Sequence, residues 1–114
     1  LRFSTSLKNN YDFRRLYSKG KSASSQYAVV YCRKNRSSLS RLGLTVSTKI
    51  GKAVTRNRIR RRFKEIYRIN EEKFAPGYDF VIVARARSRL APFHALEKDF
   101  LGLMKKLGVC GDVK

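Results

Sequence analysis

Between Lys49 and Arg68 the chain reads KIGKAVTRNRIRRRFKEIYR, with nine lysines and arginines against one acid, Glu65. Arginine outnumbers lysine two to one in this stretch. A planar guanidinium can hold phosphate through two parallel hydrogen bonds, where an ammonium supplies a point charge. The chemistry on offer is phosphate recognition, and bond cleavage would need other groups. Hydrolysis of a phosphodiester by a protein requires carboxylates gathered around metal ions, or an acid–base pair. The eight acids are Asp12, Glu65, Glu71, Glu72, Asp79, Glu97, Asp99 and Asp112, and no metal-ligand spacing joins them. Glu97 and Asp99 read as solvated residues flanking a helix. His94, the only histidine, sits beside an apolar stripe with no partner in view. Ile50-Gly51-Lys52 runs into alanine and lacks the rest of a phosphate loop. No catalytic group and no protein-held metal are therefore expected.

On a helical wheel of about 100° per residue, Ile59, Phe63, Ile66 and Tyr67 share one arc, wide enough to dock on a sheet. Val54 reads as a further core residue. Asn57, Arg61, Lys64 and Arg68 form a narrow stripe away from that arc. Arg56 and Arg60 border the apolar side, and Arg58, Arg62 and Glu65 lie round the back. Exposed helix faces usually mix signs, because acid–base pairs one turn apart stabilise and like pairs destabilise. Cations at the N-terminal end also oppose the helix dipole. A partner rich in phosphate is expected to offset both penalties.

The rest of the chain must position this helix. Its 114 residues make one small domain, 1–114, with a 42% hydrophobic content that argues against a disordered basic tail. The net charge of +19 implies a polyanionic partner, nucleic acid before a membrane surface. No apolar run approaches the ~20 residues of a membrane span. No secretory signal is visible, although Leu1 stands where a starting Met would. Cys32 and Cys110 are too few for a disulfide framework and read as thiols of a reducing cytosol, so the protein is expected in the cytoplasm. Cys32 suits a core and Cys110 a fraying terminus.

NNYDFRRLYSKGKS opens with an Asn cap, places Phe13, Leu16 and Tyr17 at helical spacing and stops at Gly20. SQYAVVYCRK alternates as a strand, with Tyr27, Val29 and Tyr31 on one face and Ala28, Val30 and Cys32 on the other. RLGLTVSTK reads as a second strand sending Leu42, Leu44 and Val46 one way and Thr45, Ser47 and Lys49 the other. A helix over about 53–69, a PGYD turn and the buried strand FVIVA follow. Pro92 then starts a last helix with Phe93, Leu96, Phe100, Leu103 and Leu107 as its stripe and Gly108 as its stop. The expected fold is α+β: a two-layer sandwich of helices on a mostly antiparallel four-stranded sheet, in the order αβββαβα.

RLGLTVSTKIGKAVTRNRIRRRFKEIYR closely resembles the signature of the bacterial ribonuclease P protein subunit, with Arg56-Asn57-Arg58 at the start of a helix. The resemblance runs from NNYDFRRLYSKGKS through GYDFVIVAR to the last helix. It implies a left-handed βαβ crossover through the central helix, which periodicity alone would not suggest. It also implies a job: to assist a catalytic RNA, working with magnesium ions, in removing the 5′ leader of precursor tRNA. The protein would be a monomer, one per catalytic RNA, with no catalysis of its own. Carried over by residue, Arg56, Asn57, Arg58, Arg61, Lys64 and Arg68 would meet the catalytic RNA. Phe13, Tyr17, Tyr31, Ser47 and Lys49 would line the leader cleft. At Lys64 the family often has Arg. Aromatics beside a basic strand are what single-strand binding without strong sequence preference requires. The competing class is a structural RNA-binding protein such as a small ribosomal protein, against which the full motif order discriminates.

Overall fold

In the computed structural model, which describes residues 4–111, a short strand β1 (Ser4–Ser6) precedes helix α1 (Asn10–Lys19). Asn9 starts that helix as expected, its Oδ1 accepting the Tyr11 N–H at 2.8 Å. This satisfies one of the donors that every helix start leaves open. Strands β2 (Lys21–Ser24), β3 (Ala28–Lys34) and β4 (Ser40–Thr45) follow, then helix α2 (Ala53–Asn70), strand β5 (Tyr78–Ala84) and helix α3 (Phe93–Lys106).

From α1 onward the order αβββαβα holds. The sheet, however, has five strands in the order β1-β4-β5-β3-β2. The added strand, β1, is three small polar residues with no alternation to betray it, held by parallel pairing of Ser4 with Ser40 and Thr5 with Arg41. The sheet is also mixed rather than mostly antiparallel: β2–β3 and β3–β5 run antiparallel, while β1–β4 and β4–β5 run parallel. Helix α2 makes the crossover between the parallel neighbours β4 and β5.

Alternate residues of a strand face opposite sides. Val30, Cys32, Leu42, Phe80 and Ile82 pack with Ile59, Phe63, Ile66 and Tyr67 of α2 and Leu96, Phe100, Leu103 and Met104 of α3. On the other face Val81 is buried with Leu7 and Leu16, and Phe13, Tyr31 and Val83 pack on them. Helix α1 therefore covers the face opposite α2 and α3, and three layers replace the expected two. The apolar run Phe80–Ala84 within β5 is the reason, because a stretch hydrophobic at successive positions needs cover on both sides.

Three core expectations shift. Val54 is 79% exposed, since nine residues separate it from Phe63 and place it about 180° round the helix. Phe93 is 36% exposed at the first position of α3, where its stripe runs out. Cys110 does not fray: it bridges to Phe74, while Val109 is buried and accepts the Ala75 N–H at 2.8 Å. Cys32 is a core thiol, its pKa raised by burial.

Tyr67 links α2 to the edge of the sheet through a 2.7 Å hydrogen bond between its hydroxyl and that of Ser4. Burial pushes its phenol up to about 12 from the ordinary 10.0. A folded pKa above the unfolded one gives stability that is complete below pH ~10 and lost as pH rises through ~12. Between pH 9 and 12 the wild-type protein should lose about 2–3 kcal/mol more than Tyr67→Phe in denaturant titrations. Equal losses would mean that the buried phenol does not resist ionisation.

Candidate nucleic-acid interface

Helix α2 begins without help. Lys52 offers no side-chain cap and the first turn holds no acid, so the helix start leaves N–H donors open and faces cations, a natural place for an anion. The expected stripe assembles on its outer side. Asn57, Arg58, Arg61 and Lys64 are exposed, and among the described residues none of these cations has an ion pair. Arg56 is half-buried, and its Nε is shielded from solvent without a hydrogen-bond partner. Asn57 Oδ1 accepts Arg60 Nη1 at 3.0 Å, which fixes the side chain between the two motif arginines. Arg68 differs from the rest, because Glu65 holds it through Nε at 2.7 Å and also through Nη2. Arg62 turns inward to the Ala91 carbonyl, and burial, then Arg58, hold its pKa below the ordinary value.

Across the sheet, Phe13, Tyr17 and Tyr31 meet as expected. The Phe13 and Tyr17 rings lie 6.4 Å apart, and Tyr17 stands edge-on to Tyr31 at 5.0 Å. Gly43 makes this possible, because a Cβ there would fall 2.6 Å from Phe13 Cζ. Phe13 is thus seated against the strand, while Tyr17 is 41% exposed and meets the Thr45 hydroxyl at 3.1 Å. Asn10, Phe13, Arg14, Tyr17 and Thr45 surround a cavity of about 370 Å³. Tyr27, by contrast, packs on the α2–α3 core.

Ser47 and Lys49 are not on a strand. β4 ends at Thr45, and Ser47 caps the 3-10 turn Thr48–Ile50, its Oγ accepting the Lys49 N–H at 3.2 Å. A serine bonding its own backbone competes with the ladder, and buried Val46 and Ile50 pin the turn at both ends. Both side chains are exposed just beyond the cleft wall at Thr45. Asn10, Arg14 and Thr45 were missed as lining residues. Thr45 could have been found from its parity with Gly43; Arg14 carries no signal beyond its place next to Phe13.

Four of the acids hold the fold together. Asp12 and Asp79 hold Arg41, Glu97 accepts Asn70 Nδ2 at 2.8 Å and Asp99 accepts the Ser25 hydroxyl, so Glu97 and Asp99 are not simply solvated. Among the described residues no three of His, Cys, Asp or Glu gather where they could hold a metal ion. Asp112 lies outside the described residues. His94 is exposed, and no described helix is long and apolar enough to cross a membrane.

A bare arginine helix on one side of a sheet and an aromatic cleft on the other define a class: a small basic α+β protein with two surfaces suited to nucleic acid. The Ribonuclease P family model matches residues 1–108. The ribonuclease P protein component of Clostridioides difficile strain 630 is 48% identical over 104 residues, covering 90% of this chain and 91% of that protein. The Staphylococcus aureus RNase P protein structure superposes with a TM-score of 0.85 at 30% identity, covering 93% of this chain and 97% of the other. The Thermotoga maritima RNase P protein gives 0.81 at 35% identity, with 88% and 94% covered. The chain belongs to the ribonuclease P protein family. Its role accordingly lies in tRNA 5′ processing together with the ribonuclease P RNA.

Proposed function

We propose that the outer face of α2 docks on the catalytic RNA while the cleft between α1 and the sheet holds the single-stranded 5′ leader of precursor tRNA. The observation that carries this reading is the separation of the two surfaces. Helix α2 packs on one face of the sheet and α1 on the other, so both RNAs can be held at once. The contact with catalytic RNA comes from Arg56, Asn57, Arg58, Arg61 and Lys64, with Arg68 shared with Glu65. The leader stacks on Tyr17, with Phe13 and Tyr31 behind it and Ser47 and Lys49 beyond Thr45.

The chemistry in this reading belongs to the RNA, and magnesium acts there. The carboxylates of Asp12, Glu65, Asp79, Glu97 and Asp99 are engaged with Arg41, Arg68, Asn70 and Ser25. The protein is one monomer per catalytic RNA, in the cytoplasm. Its cations lower repulsion between RNA phosphates, work that magnesium must otherwise do alone. Adding the protein to the catalytic RNA at low magnesium should therefore raise cleavage of precursor tRNA sharply, and RNA-free protein should cleave nothing. Metal-dependent cleavage by the protein alone, or no stimulation at low magnesium, would overturn the proposal.

A further inference from the structure

On the flank of α1 away from the aromatic cleft lies a second cavity, of about 450 Å³. Asp12, Arg15 and Leu16 form its helical wall, on the opposite side of α1 from Phe13, Arg14 and Tyr17 at about 100° per residue. Its floor is the end of the sheet where Asp79 pairs in register with Arg33 on one side and Arg41 on the other. Lys34, Asn35 and Arg36 complete the rim.

Five cations line this cavity against two acids, and both acids are already engaged. Asp79 accepts Arg41 Nε at 2.8 Å, Arg41 Nη2 at 2.6 Å and Asn35 Nδ2 at 2.9 Å, and Asp12 accepts Arg41 Nη1 at 3.2 Å. Arg41 is thereby fixed as a wall, while Arg15, Arg33, Lys34 and Arg36 pair with no carboxylate among the described residues.

Two of these differ from the rest. Arg33 Nη1 is shielded from water and finds no hydrogen-bond partner among the described residues. A charged donor so placed is unfavourable unless something else supplies the acceptor. Arg36 stands at φ 62, in the left-handed region that side chains rarely adopt. Its turn is clamped: Asn35 donates its N–H to Gly77 O at 2.8 Å, and Asn35 Oδ1 accepts the Ser37 N–H at 2.7 Å. Gly77 presses close enough that a Cβ there would lie 2.5 Å from Ser37 O. The clamp holds this conformation and so fixes the exposed Arg36 at the rim of the cavity.

We propose that this cavity is a phosphate site distinct from the leader cleft, in which Arg33 and Arg36 bind the oxygens of one phosphate between walls formed by Arg15 and Arg41. Guanidinium forks suit that geometry, and a cavity of about 450 Å³ has room for a phosphate. The phosphate can belong to an RNA backbone or be free in solution. The site does not depend on the assignment of the aromatic cleft.

The test follows backbone amides by NMR while RNA-free protein is titrated with inorganic phosphate at constant ionic strength. Saturable shifts confined to residues 12–16 and 33–37 are expected. Arg36→Gly should weaken binding about tenfold, the effect of removing one charge-assisted hydrogen bond, and glycine accepts the left-handed conformation without strain. Arg33→Gln should act in the same direction. A short single-stranded oligoribonucleotide that displaces phosphate from these residues identifies an RNA backbone as the ligand; failure to displace it identifies the free anion. Shifts spread over the whole basic surface without saturation, or both variants binding as the wild type does, would overturn the proposal.

Discussion

A protein carrying Arg56→Ala, Arg58→Ala and Arg61→Ala together should bind the catalytic RNA at least a hundredfold more weakly at low salt, while keeping its fold. Each guanidinium is expected to make a charge-assisted hydrogen bond of about 1.5–3 kcal/mol. Arg58 and Arg61 are exposed without an ion pair, so their removal breaks no internal bond. Arg56 already holds a shielded Nε with no partner. The log–log salt dependence of binding should flatten by roughly 0.7–0.9 for each phosphate that the variant no longer neutralises. Two internal controls sharpen the result. Arg68→Ala should cost less, because Glu65 already neutralises that side chain. Arg62→Ala should act on folding, since its guanidinium bonds the Ala91 carbonyl. An unchanged salt slope in the triple variant would return the stripe to an ordinary solvated face.

How much of this arrangement was legible depends on which interactions are local. The docking arc of α2 follows from a single periodicity, and Ile59, Phe63, Ile66 and Tyr67 are all buried as that periodicity requires. The parity of β3 likewise separates Cys32 from Tyr31. Three layers were nearly visible, since Val29, Tyr31, Val81 and Val83 put apolar surface on the second face; strand alternation shows that this face needs cover but not which helix supplies it. Val54 is apolar, but its angle on the wheel, about 180° from Phe63, leaves it in solvent. Ser47 and Lys49 kept strand parity in sequence, but a side-chain cap closed a turn there instead. The Arg41–Asp79 pair joins residues 38 positions apart, and nothing in either neighbourhood announces the other. β1 was beyond reach, because three small polar residues acquire their strand only from a partner. The candidate site divides differently: the α2 stripe and the rings of Phe13, Tyr17 and Tyr31 follow from local spacing, whereas Asn10, Arg14 and Thr45 line the cavity only because α1 is laid across the sheet.

The sharpest separation of the two surfaces comes from Tyr17. Tyr17→Ala should weaken binding of precursor tRNA by ~1–3 kcal/mol in the assembled complex, the value of one stacked base. Affinity for mature tRNA, which has no leader, should hardly change, and neither should assembly with the catalytic RNA. Tyr17 is the right residue because of its exposure. Truncation removes an edge contact with Tyr31 and a hydroxyl contact with Thr45, but no buried ring. Phe13 is a poorer probe, since it is seated against Gly43 and its loss could itself cost ~3–5 kcal/mol of stability. Tyr31 is half-buried beneath both and falls between them. Tyr17→Phe supplies the control: it keeps the ring and removes only the hydroxyl, so it should hold precursor affinity near the wild-type value. The quantity to measure is the ratio of precursor to mature tRNA affinity, with folding of each variant verified first. If Tyr17→Ala leaves that ratio unchanged, the ring only packs against its neighbours, and the leader must run elsewhere.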